Sequence, residues 1–349
     1  MINTIWLMLW LIAINICCFI LLGLHLLRKH YQESKFNNRK ELYKERTESS
    51  WRDYFLNDGP LPVSSIPLRK EEIEGYEELS YIYVYSVTSE STSQKLHLIA
   101  KKYLGNHYEK LLNSKRKGPR LKALARIEDY GNIEILKEGN GADKKTKTKE
   151  ELLLLLSIYS KYDETTFREL FLKYESSITE YECRKMFNHL SKHALTSLIS
   201  QFPGLESHSR YALIDTLSIK REFEYIPFLK GLVNDNDREV RIRGAKALYT
   251  MGIGDEEVCF KLADSQSWEE KFMAAKLAQY TNFNRVKDIL FQLLEDREWK
   301  VREQAARTIA RHRDAGFWVE KYIESSSDQY AVGILREIME REGSGSWTG

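Results

Sequence analysis

The chain has 349 residues, with 53 Lys and Arg against 51 Asp and Glu, a formal net charge of +2. That balance by itself points to neither a nucleic acid nor an acidic ligand, and the four cysteines form no CxxC pair and no disulfide framework. A disulfide-stapled or zinc-stapled small domain is excluded, and the length leaves room for one elongated domain or two compact ones.

The first predicted element is an apolar run over 5–27, in which 14 residues are Leu, Ile or Phe. At a rise of ~1.5 Å per residue, about 23 residues can cross a hydrocarbon core ~30 Å thick, so the run is expected to be a transmembrane helix. A cleaved signal fits less well, because Met1-Ile2-Asn3-Thr4 carries no basic side chain and no Ala-x-Ala follows. A lipoprotein site at Cys17 fails because Ile16 stands where a small residue belongs. Arg28, Lys29, Lys35, Arg39, Lys40, Lys44 and Arg46 follow the run. By the positive-inside rule the expectation is a single-pass protein of the cell membrane, N-terminus outside and body cytoplasmic.

Residues 28–69 are expected as a charged juxtamembrane helix or linker, broken by Asp58-Gly59-Pro60-Leu61-Pro62 through Pro67. Tyr76 to Val87 alternates briefly, yet with Glu71 to Glu78 upstream it reads as a helix. Residues 70–136 are expected to hold degenerate helical repeats, 137–149 a basic linker, 150–342 a helical array and 343–349 a disordered tail. Charge is uneven: 51–100 carries 4 basic and 8 acidic side chains, whereas 101–150 carries 14 basic and 7 acidic. Lys115, Arg116, Lys117, Arg120 and Lys122, with Lys144, Lys145, Lys147 and Lys149, are candidates for an anionic surface. A solvated loop is the plainer account of them.

Beyond residue 150, amphipathic helices alternate with short breaks, and an internal repeat sets the fold. Val240-Arg241-Ile242-Arg243-Gly244-Ala245-Lys246-Ala247-Leu248 is followed at a shift of 30 by Glu270-Lys271-Phe272-Met273-Ala274-Ala275-Lys276-Leu277-Ala278. At a shift of 61 comes Val301-Arg302-Glu303-Gln304-Ala305-Ala306-Arg307-Thr308-Ile309. The shared pattern is apolar-basic-x-x-small-small-x-x-apolar, with Glu270 its one clear departure. Weaker copies begin at Ser209 and at Arg120, the latter aligning Gly131 with Gly252 at a shift of 121. Each copy follows a shorter apolar helix, and such pairs bury their apolar faces only by stacking.

This pattern resembles the HEAT repeat. The resemblance implies an all-α chain in which the single N-terminal transmembrane helix precedes an α-α superhelical solenoid of HEAT-like repeats over ~70–342, with Phe317 to Met339 as closing cap. It also implies that the basic residues Arg241, Lys271 and Arg302 pair with turn carboxylates, for which Asp235, Asp264 and Asp296 are the candidates. The second helices of such arrays line the concave, partner-binding surface. Lys246, Lys276 and Arg307 point away from the apolar side of their helices and are the basic column of that surface. Arg243, Trp268 and Trp299 are further candidates for partner contact.

No route to catalysis is apparent. The metal hydroxylases of HEAT-like architecture use His-Glu dipeptides, and this chain has none. His189 and His193 stand four apart, but Leu190 replaces the Glu of a zinc-protease motif, so no metal, cofactor or catalytic residue is assigned. Cys183 and Cys259 read as small buried hydrophobes. The sequence therefore predicts a membrane-anchored, non-enzymatic scaffold that presents its solenoid to protein partners in a membrane-associated assembly. The alternatives are an enzyme of HEAT-like architecture (bilin lyase-like) and a binder of anionic lipid or nucleic acid through the basic segments.

Overall fold

The computed structural model describes 2–86, 89–138 and 148–343, with side chains left out at 2–9, 11–13, 137–138 and 342–343. Every regular element among the described residues is helical. The chain divides into two compact units, Met1–Ile158 and Tyr159–Gly349.

The first unit opens on α1 (Ile2–Leu56), one helix of 55 residues. The apolar run of 5–27 is its N-terminal part, and the helix continues unbroken through the charged residues beyond it. The contiguous apolar stretch whose side chains are described, 14–27, covers about 21 Å at the helical rise and includes Asn15, Gly23 and His25. A span needs roughly 20 apolar residues. Among the described residues no helix is long and apolar enough to cross a membrane. This overturns the expected transmembrane helix over 5–27. The single-pass topology, the cell-membrane localisation and the membrane contact all rested on that helix and fall with it.

The end of α1 supplies core. Tyr43, Trp51 and Phe55 are buried against α2 (Lys70–Ser86), whose Tyr76 and Tyr83 meet them edge-on or tilted: Trp51–Tyr76 at 4.9 Å and Phe55–Tyr83 at 4.8 Å between ring centroids. Truncating a buried Trp of this kind costs ~3–5 kcal/mol. The helices cross at Gly75, where a Cβ would lie 2.8 Å from Tyr43 Cδ1 and 3.3 Å from the Lys40 carbonyl. The rim of the crossing is ionic, with Lys40 and Lys44 both on Glu78 at 2.6 and 2.9 Å. The break over 58–67 falls where the prolines place it, leaving one short 3-10 turn, Val63–Ser65. Next come α3 (Glu90–Ile99), a π-helical segment Ala100–Leu104, α4 (Gly105–Leu112), α5 (Lys117–Tyr130) and α6 (Glu134–Glu138). Helix α7 (Lys149–Tyr162) carries the boundary between the units. Most of the expected linker, residues 139–147, lies outside the described residues, as do 344–349 of the expected tail and Val87.

The second unit is a series of helix pairs. After α8 (Glu164–Tyr174) come α9 (Glu180–Phe187) and α10 (Lys192–Ser200), then α11 (Ser207–Lys220) and α12 (Ile226–Gly231). The series continues with α13 (Arg238–Met251), α14 (Glu256–Ala263), α15 (Trp268–Leu277), α16 (Phe283–Leu294), α17 (Trp299–Arg311), α18 (Gly316–Ser325) and α19 (Gln329–Gly343). Starts are set by side-chain caps: Asp237, Asp255 and Asn282 accept first-turn N–H groups, and Thr179 forms a capping box with Glu182. Helices α5 and α13 both end on a left-handed glycine, Gly131 at φ 67° and Gly252 at φ 74°, the pair aligned by the 121-residue shift.

Packing follows the repeat. Helices α9, α11, α13, α15, α17 and α19 pack each on the next, while α12, α14 and α16 pack on the helix that follows each of them. The small residues of the pattern make this possible, with Ala245, Ala274, Ala275, Ala305 and Ala306 all buried. At Gly244 a Cβ would sit 2.9 Å from Leu232 Cβ, so only glycine fits the close approach of α12 and α13. Within 317–339 the series continues, with α19 packed on α17.

Candidate docking surface on the second helices

The basic residue at the pattern's second position is spent within the protein. Arg210 pairs with Asp235, Lys271 with Asp296 at 2.7 Å and Arg302 with Asp328 at 2.9 Å. Arg241 pairs with Glu270, and its Nη1 also donates to the carbonyls of Asp235 (2.8 Å) and Asn236 (3.1 Å). The turns explain the choice of partner. Asp235 and Asp296 occupy matching positions, each accepting the backbone N–H two residues on, at 2.8 and 2.9 Å. At the equivalent places in the other turns stand Ser265 and Ser326, whose hydroxyls accept the same N–H but offer no charge. There the cation reaches a carboxylate further along, Glu270 or Asp328.

Asp264, an expected partner, instead ends α14. Glu270, the departure from the apolar pattern, takes its place at 1% exposure. Arg120 repeats the arrangement in the first unit. It donates to the carbonyls of Ser114 and Lys115 at 2.9 and 3.1 Å and to Glu151 at 3.0 and 2.7 Å.

That geometry removes most of the candidate anionic surface. Arg120 is buried, Lys117 pairs with Glu150 at 2.9 Å, and Lys122 with Glu74 and Glu77 at 3.1 and 3.0 Å. Of that group, Lys115 and Arg116 are exposed and make no ion pair among the described residues. Lys144, Lys145 and Lys147 lie outside the description.

The candidate partner-binding residues separate into two kinds. Arg243 is neutralised inside the fold by Glu180 (2.8 Å), Asp215 (2.9 Å) and Glu239 (2.6 Å), and lies over the Tyr211 ring at 4.7 Å. It is a packing residue. Lys246, Lys276 and Arg307 occupy matching positions on α13, α15 and α17, each five residues after the ion-paired residue of its helix. Lys246 is exposed. The Lys276 ammonium lies 5.1 Å from the Tyr249 ring centroid and 4.9 Å from that of Phe272, held by two π faces and, among the described residues, by no ion pair. Arg307 pairs with Glu303 one turn back at 2.7 Å and is partly exposed.

Trp268 and Trp299 begin α15 and α17 on the same face. The Trp268 ring is covered by Lys300 at 5.0 Å and is 37% exposed, whereas Trp299 is 57% exposed. Sequence reasoning passed over Tyr249, Phe272, Lys300 and Tyr330, which complete this aromatic and basic face. Phe272 four residues after Trp268, and Lys300 and Tyr330 at the starts of α17 and α19, were the available signal, whereas Tyr249, near the end of α13, offered none.

The other candidates for chemistry carry none. His189 lies in the turn after α9 and His193 within α10, so the two do not share a helix face. Among the described residues no three His, Cys, Asp or Glu side chains are grouped to hold a metal. Burial pushes the Cys183 and Cys259 thiols up to about 12, which keeps both protonated and unreactive. No family model matches the chain, and no curated protein matches it in sequence.

Proposed function

We propose that this chain is a non-enzymatic scaffold whose Tyr159–Gly349 unit is a HEAT-like solenoid holding an extended acidic segment of a partner protein along its second helices. The observation that carries the reading is the contrast between two columns of cations. Those at Arg210, Arg241, Lys271 and Arg302 are consumed by carboxylates of this chain. Lys246 is exposed and Lys276, half-buried, rests on the Tyr249 and Phe272 rings, with the partly exposed Trp268 ring beside Phe272 on the same helix. Exposed aromatic side chains are what a protein interface enriches, and the cations beside them set the sign of the partner.

The test is selection of a random 12-residue peptide library against the immobilised full chain, in parallel with K246E/K276E/R307E. Enrichment of Asp and Glu on the parent, lost on the triple variant, is the expected result. The melting curve should keep its shape and shift down only modestly, because Lys246 is exposed and the Arg307–Glu303 pair is a surface pair worth ~0.2–1 kcal/mol. Peptides with no acidic bias would refute the reading.

A further inference from the structure

The repeat register makes one junction unlike its neighbour. Ser326 Oγ takes the Asp328 N–H as Asp296 takes that of Glu298, so α19 follows α17 at a shift of 30. In that register Gln304 and Thr308 of α17 correspond to Ile334 and Ile338 of α19, and Lys300 corresponds to Tyr330. At the α15–α17 junction Gln304 donates to Thr308 at 3.2 Å, and Thr308 donates on to the Ala275 carbonyl at 2.8 Å. That junction is closed by polar bonds, and its indole, Trp268, is covered by Lys300. At the α17–α19 junction the same positions are apolar and offer no donor. A groove of about 590 Å³ opens there, with Trp299, Tyr330, Ile334 and Ile338 among its lining residues. Tyr330 is 80% exposed.

Charge at the rim is selective. Glu303, Glu337 and Asp328 line the groove but are each paired, with Arg307, Arg341 and Arg302 in turn. Arg297 lines it too, is exposed, and makes no ion pair among the described residues. An apolar slot bordered by two aromatic rings, with a cation left over, fits an aromatic side chain accompanied by a carboxylate. A volume near 590 Å³ exceeds one side chain and lies within the ~300–1,000 Å³ of pockets that enclose a ligand.

We propose that the α17–α19 groove is the anchoring pocket of the docking surface and takes an aromatic residue of the bound segment that has an Asp or Glu one or two positions away. The inference rests on the docking reading above. Burial of one aromatic anchor in such a pocket supplies the affinity, and the lysine column supplies the approach.

The same peptide selection tests it on the full chain with two further variants, W299A and R297E. Both replace exposed side chains, and circular dichroism melts matching the parent confirm that each is folded. Peptides enriched on the parent should carry an aromatic residue with a neighbouring carboxylate. W299A should remove the aromatic preference and weaken the best peptide, synthesised singly, about tenfold or more. R297E should remove the preference for the adjacent carboxylate and leave the aromatic preference in place. Acidic peptides lacking an aromatic, or an aromatic preference indifferent to W299A, would overturn the pocket while leaving the docking reading intact. Absence of any acidic enrichment would overturn both.

Discussion

Glu270 offers a test of why this array tolerates a buried carboxylate in an apolar column. Valine stands at the matching positions 240 and 301, and Glu270 is 1% exposed. If it is there because the preceding turn has Ser265 instead of Asp, E270V should strand the Arg241 guanidinium. Breaking a fully buried pair costs ~3–5 kcal/mol. The Arg241 side chain is 25% exposed and keeps two backbone carbonyls, so the expected cost is lower, about 2–3 kcal/mol. For a unit the size of Tyr159–Gly349, each 1 kcal/mol moves the melting point by ~2–4 °C, so E270V should melt about 4–12 °C lower.

Adding S265D to E270V restores the turn carboxylate that Asp235 and Asp296 supply elsewhere, and should recover most of that loss. S265D alone should gain little or lose stability, because the new carboxylate would face Glu270, which Ser265 now hydrogen-bonds. Thermal and urea melts followed by circular dichroism at the four corners of this cycle give the coupling directly. An E270V variant as stable as the parent, or an S265D effect independent of residue 270, would refute the argument that the turn dictates the pair.

Three further outcomes are expected. Gly244→Ala should cost ~1–3 kcal/mol in a urea melt, since its Cβ would press on Leu232 Cβ at 2.9 Å, which cannot swing aside. Titration of the native protein with an aromatic disulfide should modify the exposed Cys17 and Cys18 promptly and Cys183 and Cys259 only after unfolding, because burial raises both thiols. Burial pushes the Asp255 carboxyl up, but Lys230 at 2.6 Å and the Val258 N–H at 3.0 Å outweigh it and hold it below the usual carboxylate range. Its contribution is therefore complete above the unfolded value near pH ~4 and is lost as pH falls through the lower folded value. D255N should melt earlier at pH 7 and show a shallower loss of stability on acidification than the parent.

Much of the helical organisation was legible because it is periodic. The 30- and 61-residue shifts aligned Arg241, Lys271 and Arg302, all three of which are ion-paired, though only Lys271 uses one of the expected turn carboxylates, and the 121-residue shift placed both Arg120 and Gly131 in local geometries that match Arg241 and Gly252. What was not legible depended on contacts between repeats. Asp264 was a reasonable partner by proximity to the turn, but the position that matters lies one residue later, at Ser265. Arg243 was a candidate for partner contact. Its three carboxylates come from residues 4, 28 and 63 positions away, and no helical period reports the last two. The basic cluster at 115–122 failed for a related reason, since its carboxylates sit in α2 and α7. The apolar run at 5–27 was weighed as an isolated segment, whereas the structure makes it one end of a helix whose other end is core.

The two columns on the second helices show how one repeat divides its cations. The residue at the second pattern position lies between the turn before its own helix and a carboxylate of the next repeat, where three backbone or side-chain oxygens converge on Arg241 and three on Arg302. Charge there is desolvated and matched, which fixes the register of stacking more than it adds stability. The residue five positions later meets no turn. Its neighbours are the side chains of its own helix and of the helix stacked beside it, and in α15 these are rings instead of carboxylates. Such a cation keeps its attraction for an anion from outside, and the π faces hold its stem in place without neutralising it. Substituting Phe272 and Tyr249 by Leu should leave the ladder untouched, so the melt should fall only by the packing lost, while acidic-peptide affinity drops as Lys276 loses its fixed position. If affinity is unchanged in that variant, the rings are packing alone, and position 276 is no more than a solvated lysine.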